Sequence, residues 1–272
     1  MRSVTQGTTG AAQAHNPVPV RVRVLGAHGG STPSHLQTSF LVNGTVCVDA
    51  GAVTDALTLD EQAGIRAVLV THAHLDHVSS LPFLVENVFG RNASPLEIVA
   101  PKNVLAALQE HLFNDALWPD FSRLENDLGP AVTYRAVPVG EPFALSGLVV
   151  TAIPVSHVVP TVGYILEEQG TSIVFSGDTG PTDALWHAAR ARRDVKGLFV
   201  ECSFPNSLQQ LADVSKHLTP ATLESEIVKF PPGAPIHLYH MKPPTMERLR
   251  IEVAELGNTR VSILKDGDEL VF

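Results

Sequence analysis

Thr71-His72-Ala73-His74-Leu75-Asp76-His77 decides how the rest of this chain reads. It sets three imidazoles and one carboxylate directly behind the apolar run Ala67-Val68-Leu69-Val70. A turn at the exit of a strand points alternate side chains into one concavity, so His72, His74, Asp76 and His77 can chelate a divalent cation from two sides. Without a cation the same cluster is costly, because buried polar groups need partners and protonated imidazoles repel one another. The stretch therefore predicts a metal site at a strand end, with its remaining donors supplied by other strand ends.

Ligands of an α/β site sit where apolar strands run out. Three further positions meet that condition. His157 follows Val149-Val150-Thr151-Ala152-Ile153-Pro154-Val155-Ser156, Asp178 follows Ile173-Val174-Phe175-Ser176-Gly177, and His240 follows Ile236-His237-Leu238-Tyr239. Taken singly, each is an ordinary strand-end turn residue. Together with the cluster they supply the donors that two cations sharing a bridging carboxylate require.

The surrounding pattern is that of a layered α/β (α+β) protein. Val20 to Val24 alternates as a half-buried strand, and Asn43-Gly44 between Ser39-Phe40-Leu41-Val42 and Thr45-Val46-Cys47-Val48 is a strong hairpin signal. The loop Gly26 to Pro33 is too rich in glycine for a regular element, and Asp55 to Gly64 reads as one short helix. Helices are expected over Leu81 to Phe89, with Pro82 in the first turn, and over Pro101 to Phe113, with Leu96 to Ala100 a strand between them. Trp118 to Pro130 has no clear period and reads as an insertion near the site.

Strands follow at Val132 to Val139, Leu148 to Val155, Val162 to Glu167 and Ser172 to Phe175, then a helix at Thr182 to Arg192. Strands Leu198 to Val200, Ile236 to Tyr239 and Val261 to Leu264 alternate with helices Pro220 to Phe230 and Thr245 to Leu256. Two mostly β stretches, each closing with helices, predict two sheets packed face to face with helices outside. Residues 1–19 are polar and read as a disordered lead, and residues 20–272 as a single domain.

Composition narrows the function. The 272 residues are 44% hydrophobic and 17% charged, ordinary for a globular protein. A formal charge of -9 argues against a nucleic-acid partner, which calls for a basic face. A small anionic substrate remains compatible, because bound metal overrides the global field locally. No apolar run is long enough for a membrane span. Cys47 and Cys202 lie within apolar runs and read as buried free thiols, pointing to a reducing compartment; the cytoplasm is the default location, with the periplasm open to a chain that has lost a signal peptide.

The set His72-x-His74-x-Asp76-His77, His157, Asp178 and His240 resembles the metallo-β-lactamase fold superfamily over nearly the whole chain from about residue 20. The resemblance implies a four-layer αββα sandwich with the metals at one edge between the sheets. It also implies that His72, His74 and His157 bind one metal, that Asp76, His77 and His240 bind the other, and that Asp178 bridges. Within the superfamily, His72-Ala73-His74-Leu75-Asp76-His77-Val78 is similar to the signature of class II 3′,5′-cyclic-nucleotide phosphodiesterases. Thr38 to Val42, Glu201 to Asn206 and Lys216 to Pro220 also look like that family, whereas Ser80 stands where many of its members have Gly and Pro82 interrupts the signature.

That likeness implies a dinuclear hydrolase that opens a cyclic nucleotide, cAMP or cGMP, to the 5′-monophosphate with a hydroxide held between two divalent ions, zinc foremost, with manganese or iron as alternatives. Asp76 is the catalytic carboxylate of the set, and His217 the candidate general acid for the departing 3′-oxygen. The plainer role of His217 is to precede a helix that Thr219 caps and Pro220 opens. Asp49 and Glu201, each ending a strand, are expected to orient metal-binding histidines from behind. His35, Thr38 and Ser39, around the glycine-rich loop, are expected to line the substrate cleft.

The nearest rival activity is that of tRNA 3′-end endonucleases, which share the ligands and a His-x-Thr segment similar to His217-Leu218-Thr219. Lactonases, sulfatases and thioesterases of the superfamily come next. A non-catalytic metal-binding protein would be expected to have lost donors, and none is missing. Homodimerisation is compatible with all of these.

Overall fold

The computed structural model describes residues 19–92, 94–126 and 129–272. The expected disordered lead lies outside the described residues except for Pro19. In the first half of the chain the strands are β1 (Arg21–Gly26), β2 (Ser39–Val42), β3 (Val46–Val48), β4 (Ala67–Leu69), β5 (Leu96–Ala100), the short ribbon β6 (Glu125–Asn126) and β7 (Gly129–Pro130), and β8 (Val132–Ala136). The second half adds β9 (Pro142–Leu145), β10 (Leu148–Pro154), β11 (Val162–Glu168), β12 (Thr171–Phe175), β13 (Val195–Glu201), β14 (Ile236–Tyr239), β15 (Val261–Ile263) and β16 (Glu269–Val271). One seven-stranded sheet runs β16-β1-β2-β3-β4-β5-β8 and the other β15-β14-β13-β12-β11-β10-β9.

Period-two alternation explains the layering. Val46, Val48, Ala67 and Leu69 face the second sheet, where they meet Tyr164, Phe175 and Phe199 in the inter-sheet core. Their neighbours Cys47, Val68 and Val70 point the other way, onto Leu81, Leu84 and Leu108 of the helices that cover the first sheet. Leu198, Val200, Ile236 and Leu238 likewise bury Trp186, Leu223 and Leu249 beneath the helices of the second sheet. These three apolar interfaces make the four-layer αββα sandwich, and both cysteines are buried free thiols within it.

The two sheets are stitched together where the histidine cluster begins. The Tyr164 hydroxyl donates to the Val70 carbonyl at 2.9 Å, and the Val162 N–H to the Thr71 carbonyl at 3.1 Å. On the neighbouring strands the glycine-rich loop of the first sheet reaches over: the His240 N–H donates to the Ala27 carbonyl, and the Gly29 N–H to that of Met241. The cluster therefore sits at one edge of the sandwich, where strand ends from both sheets meet.

Several elements differ from the sequence expectation. The single helix over 55–64 is two, Val53–Ala56 and Leu59–Ala63, because Thr58 and Glu61 form a capping box that starts a new helix. Among the short elements without a readable pattern are β9, β16 and the helix Gln209–Ser215. β16 matters most, since it carries the C-terminal segment back to the first sheet as its edge, beside β1. Within the stretch from Trp118 to Pro130, Trp118 lies edge-on to Phe83 of the first sheet's helices at 4.9 Å and Phe121 is buried. The Asn43-Gly44 hairpin forms with both residues at positive φ, 50° and 70°, as a tight primed turn demands.

Candidate metal centre

All seven expected donors converge. Donor atoms of His72, His74, His157 and Asp178 lie within 4.8 Å of one another, as do those of Asp76, His77 and His240. Asp178 touches both groups: its Oδ2 is 3.6 Å from His72 Nε2 and 3.3 Å from His240 Nε2, and its Oδ1 is 3.2 Å from His77 Nε2. It holds the bridging position between the two halves.

Each half owes its geometry to strand exits. β4 ends at Leu69 and releases the cluster, in which His77 is on the short helix Leu75–Val78. β10, β12 and β14 end just before His157, Asp178 and His240. Three non-glycine residues near these exits take left-handed backbone, Asp49 (φ 58°), Lys216 (φ 54°) and His240 (φ 67°). Such conformations cost on the order of 1–3 kcal/mol each and persist where surrounding structure enforces them.

The imidazole protons can be placed from their partners. Asp49 Oδ2 accepts from His77 Nδ1 at 2.7 Å, and Asp49 also takes the Thr71 N–H and hydroxyl. With its own proton given to Asp49, the Thr71 hydroxyl accepts from His72 Nδ1 at 3.0 Å. Ser203 donates to Glu201 at 2.8 Å and accepts from His240 Nδ1 at 2.9 Å. His157 Nδ1 donates to the Lys216 carbonyl at 3.2 Å. Four rings thus carry their proton on the outer nitrogen and turn the Nε2 lone pair inward, as metal ligands do. His74 alone turns Nδ1 inward, 3.3 Å from His157 Nε2.

Ring nitrogens aimed at each other at this range repel unless a proton or a cation lies between them. His77 Nε2 and His240 Nε2 are 3.2 Å apart, and His72 Nε2 and Asp178 Oδ1 are buried without a hydrogen-bond partner. Nitrogen and carboxylate donors in this mixture suit zinc, manganese or iron. The residues present therefore fit a pair of divalent cations.

Electrostatics follow the same division. Burial pushes His72, His74 and His240 below the usual imidazole range, and His157 down to about 4. Burial alone would neutralise Asp178 and Asp76, but neighbouring imidazoles, His240 first in each case, hold both carboxyls below their usual range. Burial also opposes protonation of His77 and His217. There the carboxylates win, Asp178 and Asp49 for His77 and Glu201 for His217, so both rings are raised.

Glu201 serves more than one ring. Its Oε1 accepts from His217 Nδ1 at 2.8 Å, while through Ser203 it steadies His240. His217 stacks on His240 at 5.4 Å and is 5.0 Å from His157, so it stands over the donor set. It also precedes the helix Pro220–Ile227, which Thr219 caps, so both sequence readings of the residue coexist.

The residues expected to line a cleft are placed differently from one another. Thr38 and Ser39 are fully buried, and their hydroxyls are spent on main-chain carbonyls of His28 and Gln37. His35 is partly exposed on the glycine-rich loop, hydrogen-bonded to Thr32 and edge-on to His28 at 4.6 Å. Three contributors had escaped the sequence reading: Thr71, Ser203 and Lys242, whose ammonium is 3.3 Å from Asp76 Oδ2. A lysine two residues beyond a strand-end histidine was the available signal for the last.

A family model for the beta-lactamase superfamily domain matches residues 46–256, a span that holds every donor. The chain is 27% identical over 277 residues to a probable 3′,5′-cyclic-nucleotide phosphodiesterase of Yersinia pestis, covering 82% of this chain and 78% of that one. A ribonuclease Z of Mycobacterium bovis is 30% identical over 133 residues, covering 45% of this chain and 47% of the other. Among solved structures, unliganded yeast PDE1 aligns with a TM-score of 0.78 over 94% of this chain and 100% of that chain, at 19% identity.

Proposed function

Because this chain belongs to the beta-lactamase superfamily, we propose that it is a dinuclear metal-dependent phosphodiesterase that opens 3′,5′-cyclic nucleotides to 5′-nucleoside monophosphates. One observation carries the choice of substrate. Similarity to proteins named cyclic-nucleotide phosphodiesterases extends over 75–82% of the chain, whereas similarity to ribonucleases Z extends over 45–59%.

In this reading His72, His74 and His157 hold one cation and Asp76, His77 and His240 the other, with Asp178 shared. When bound, the two cations supply a water that ionises near neutral pH and neutralise charge on the phosphoryl oxygens. Lys242, beside Asp76, adds a fixed positive charge for the anionic phosphodiester. His217, aligned by Glu201 through Nδ1, keeps Nε2 for the substrate and protonates the departing 3′-oxygen.

The ribonuclease Z reading draws on the 30% identity over the shorter span and on the segment His217-Leu218-Thr219. The formal charge of -9 counts against a tRNA partner. Purified protein supplied with zinc or manganese is expected to convert 3′,5′-cAMP to 5′-AMP, followed by chromatography, and Asp76→Ala or His240→Ala to abolish the conversion. Turnover of precursor tRNA with none of cyclic nucleotides would overturn the proposal.

A further inference from the structure

Two adjoining cavities open onto the metal donors. One of about 260 Å³ has His74 in its wall, and the next, of about 400 Å³, has His157. Both are bounded by the start of the helix Lys102–His111 on one side and by Val159 and Pro160 on the other. The cavities beside Arg21 and Arg23 and beside Val261–Ile263 include no donor.

The chemistry of the smaller cavity is uneven in a telling way. Its walls are Ala73, Val104, Ala107, Val159 and Pro160, all apolar. Polar groups come only from His74 at the metal end and from Asn103 and His111. Asn103 Oδ1 accepts its neighbour's N–H, that of Val104, at 3.0 Å, so the amide nitrogen is the group available to a ligand. A slot with apolar walls and a few polar groups suits a flat heteroaromatic ring, whose faces are apolar and whose edge carries hydrogen-bonding atoms.

The opposite end of the donor set is unlike this one. There Lys242 lies against Asp76, and the Gly29 position is so tight that a Cβ would come within 2.7 Å of His240 Cε1 and of Lys242 Nζ. That end has charge for phosphate oxygens, and the Gly29 backbone is packed directly against it. We infer that the cavity between the helix Lys102–His111 and the loop carrying Val159 and Pro160 is the nucleobase site, so that a bound nucleotide lies across the centre with its base on the His74 side and its phosphate oxygens toward Lys242. The inference rests on the phosphodiesterase reading for its ligand.

Calorimetric titration of the metal-loaded protein with 5′-AMP and with ribose 5-phosphate tests it, since the two differ by the base alone. The wild type is expected to bind 5′-AMP about tenfold more tightly than ribose 5-phosphate, from burial of the ring's apolar faces. Ala107→Trp, which fills the slot, should bring that ratio close to one. Asn103→Ala should lower it about fivefold, the worth of one hydrogen bond. Asn103 is an exposed residue, so its variant carries the test should Ala107→Trp fail to fold.

A wild-type ratio near one would overturn the inference, as would variants that leave the ratio unchanged or weaken both ligands alike. Hydrolysis of 3′,5′-cAMP is assayed on the same preparation. If that is absent while the 5′-AMP preference and its loss in the variants are present, the base site stands and the phosphodiesterase reading falls.

Discussion

Replacing Asp49 with Asn isolates what a residue that touches no metal does for the centre. Asp49 is buried, and its two oxygens take the Thr71 N–H at 2.8 Å, the Thr71 hydroxyl at 2.9 Å and His77 Nδ1 at 2.7 Å. Asn keeps the size and one acceptor, which the Thr71 N–H retains. Its NH2 then meets the His77 Nδ1–H, donor against donor. The imidazole relieves this by moving its proton to Nε2, the atom 3.2 Å from Asp178 Oδ1, or by turning away; either way its inward lone pair is lost. Loss of such a supporting carboxylate weakens metal binding about 10–100-fold, or roughly 1.4–2.7 kcal/mol. A hydrogen bond to a buried charge contributes a further ~1.5–3 kcal/mol to stability before any metal binds. Competition for zinc against a chromophoric chelator gives the first quantity, and thermal unfolding of the metal-free protein the second, as a lower midpoint. A zinc affinity within twofold of wild type would refute the tautomer argument.

His217→Asn should retain metal and lose about 10²–10⁴-fold in kcat on a cyclic nucleotide. Glu201→Gln should lose rate and also metal affinity, because Glu201 supports His240 through Ser203; equal metal content in the two variants would contradict that division. Gly29→Ala places a methyl 2.7 Å from the buried His240 ring, which Ser203 holds in place, and is expected to lower kcat/KM and the unfolding midpoint together. Lys216→Gly relieves a left-handed residue at φ 54° while keeping the carbonyl that His157 bonds, so unfolding should move up by about 1–3 °C. A drop there would show that the Lys216 side chain, which reaches the His157 carbonyl at 3.3 Å, outweighs the strain.

The donors were legible because each combines a ligand-type side chain with the end of an apolar run, and both properties are written along the chain. Asp49 and Glu201 were legible for the same reason, although the sequence could not say that Glu201 would face His217 and reach His240 only by way of Ser203. Thr71, Ser203 and Lys242 act through where their hydroxyls and ammonium point, and direction is not a sequence property. Thr38 and Ser39 show the converse: polar residues near a site whose hydroxyls go to the main chain instead. The layers were readable from alternation in β3, β4 and β14. The elements that escaped, β9, β16 and the helix Gln209–Ser215, are short and largely solvent-exposed, so burial leaves no period to detect.

The left-handed residues explain how so dense a cluster is aimed. Asp49, Lys216 and His240 stand on three different segments and each fixes a different part of the centre, His77, His157 and His240 itself. A glycine would serve the backbone better at all three, but at two of them the side chain is needed and the strain must be borne. What bears it is the packing immediately behind. Phe40, Phe175, Phe199 and Tyr239 interlock between the sheets, with Phe175 stacked on Phe199 at 4.4 Å and Tyr239 edge-on to Phe40 at 5.1 Å. Tyr239 directly precedes His240, so the strained φ of that ligand is enforced by an anchored aromatic on one side and by the hydrogen bond from its own N–H to Ala27 on the other. The inter-sheet core thus aims the ligand: local preference alone would let the chain relax out of the left-handed region, and only a packed sandwich makes relaxation costlier than strain.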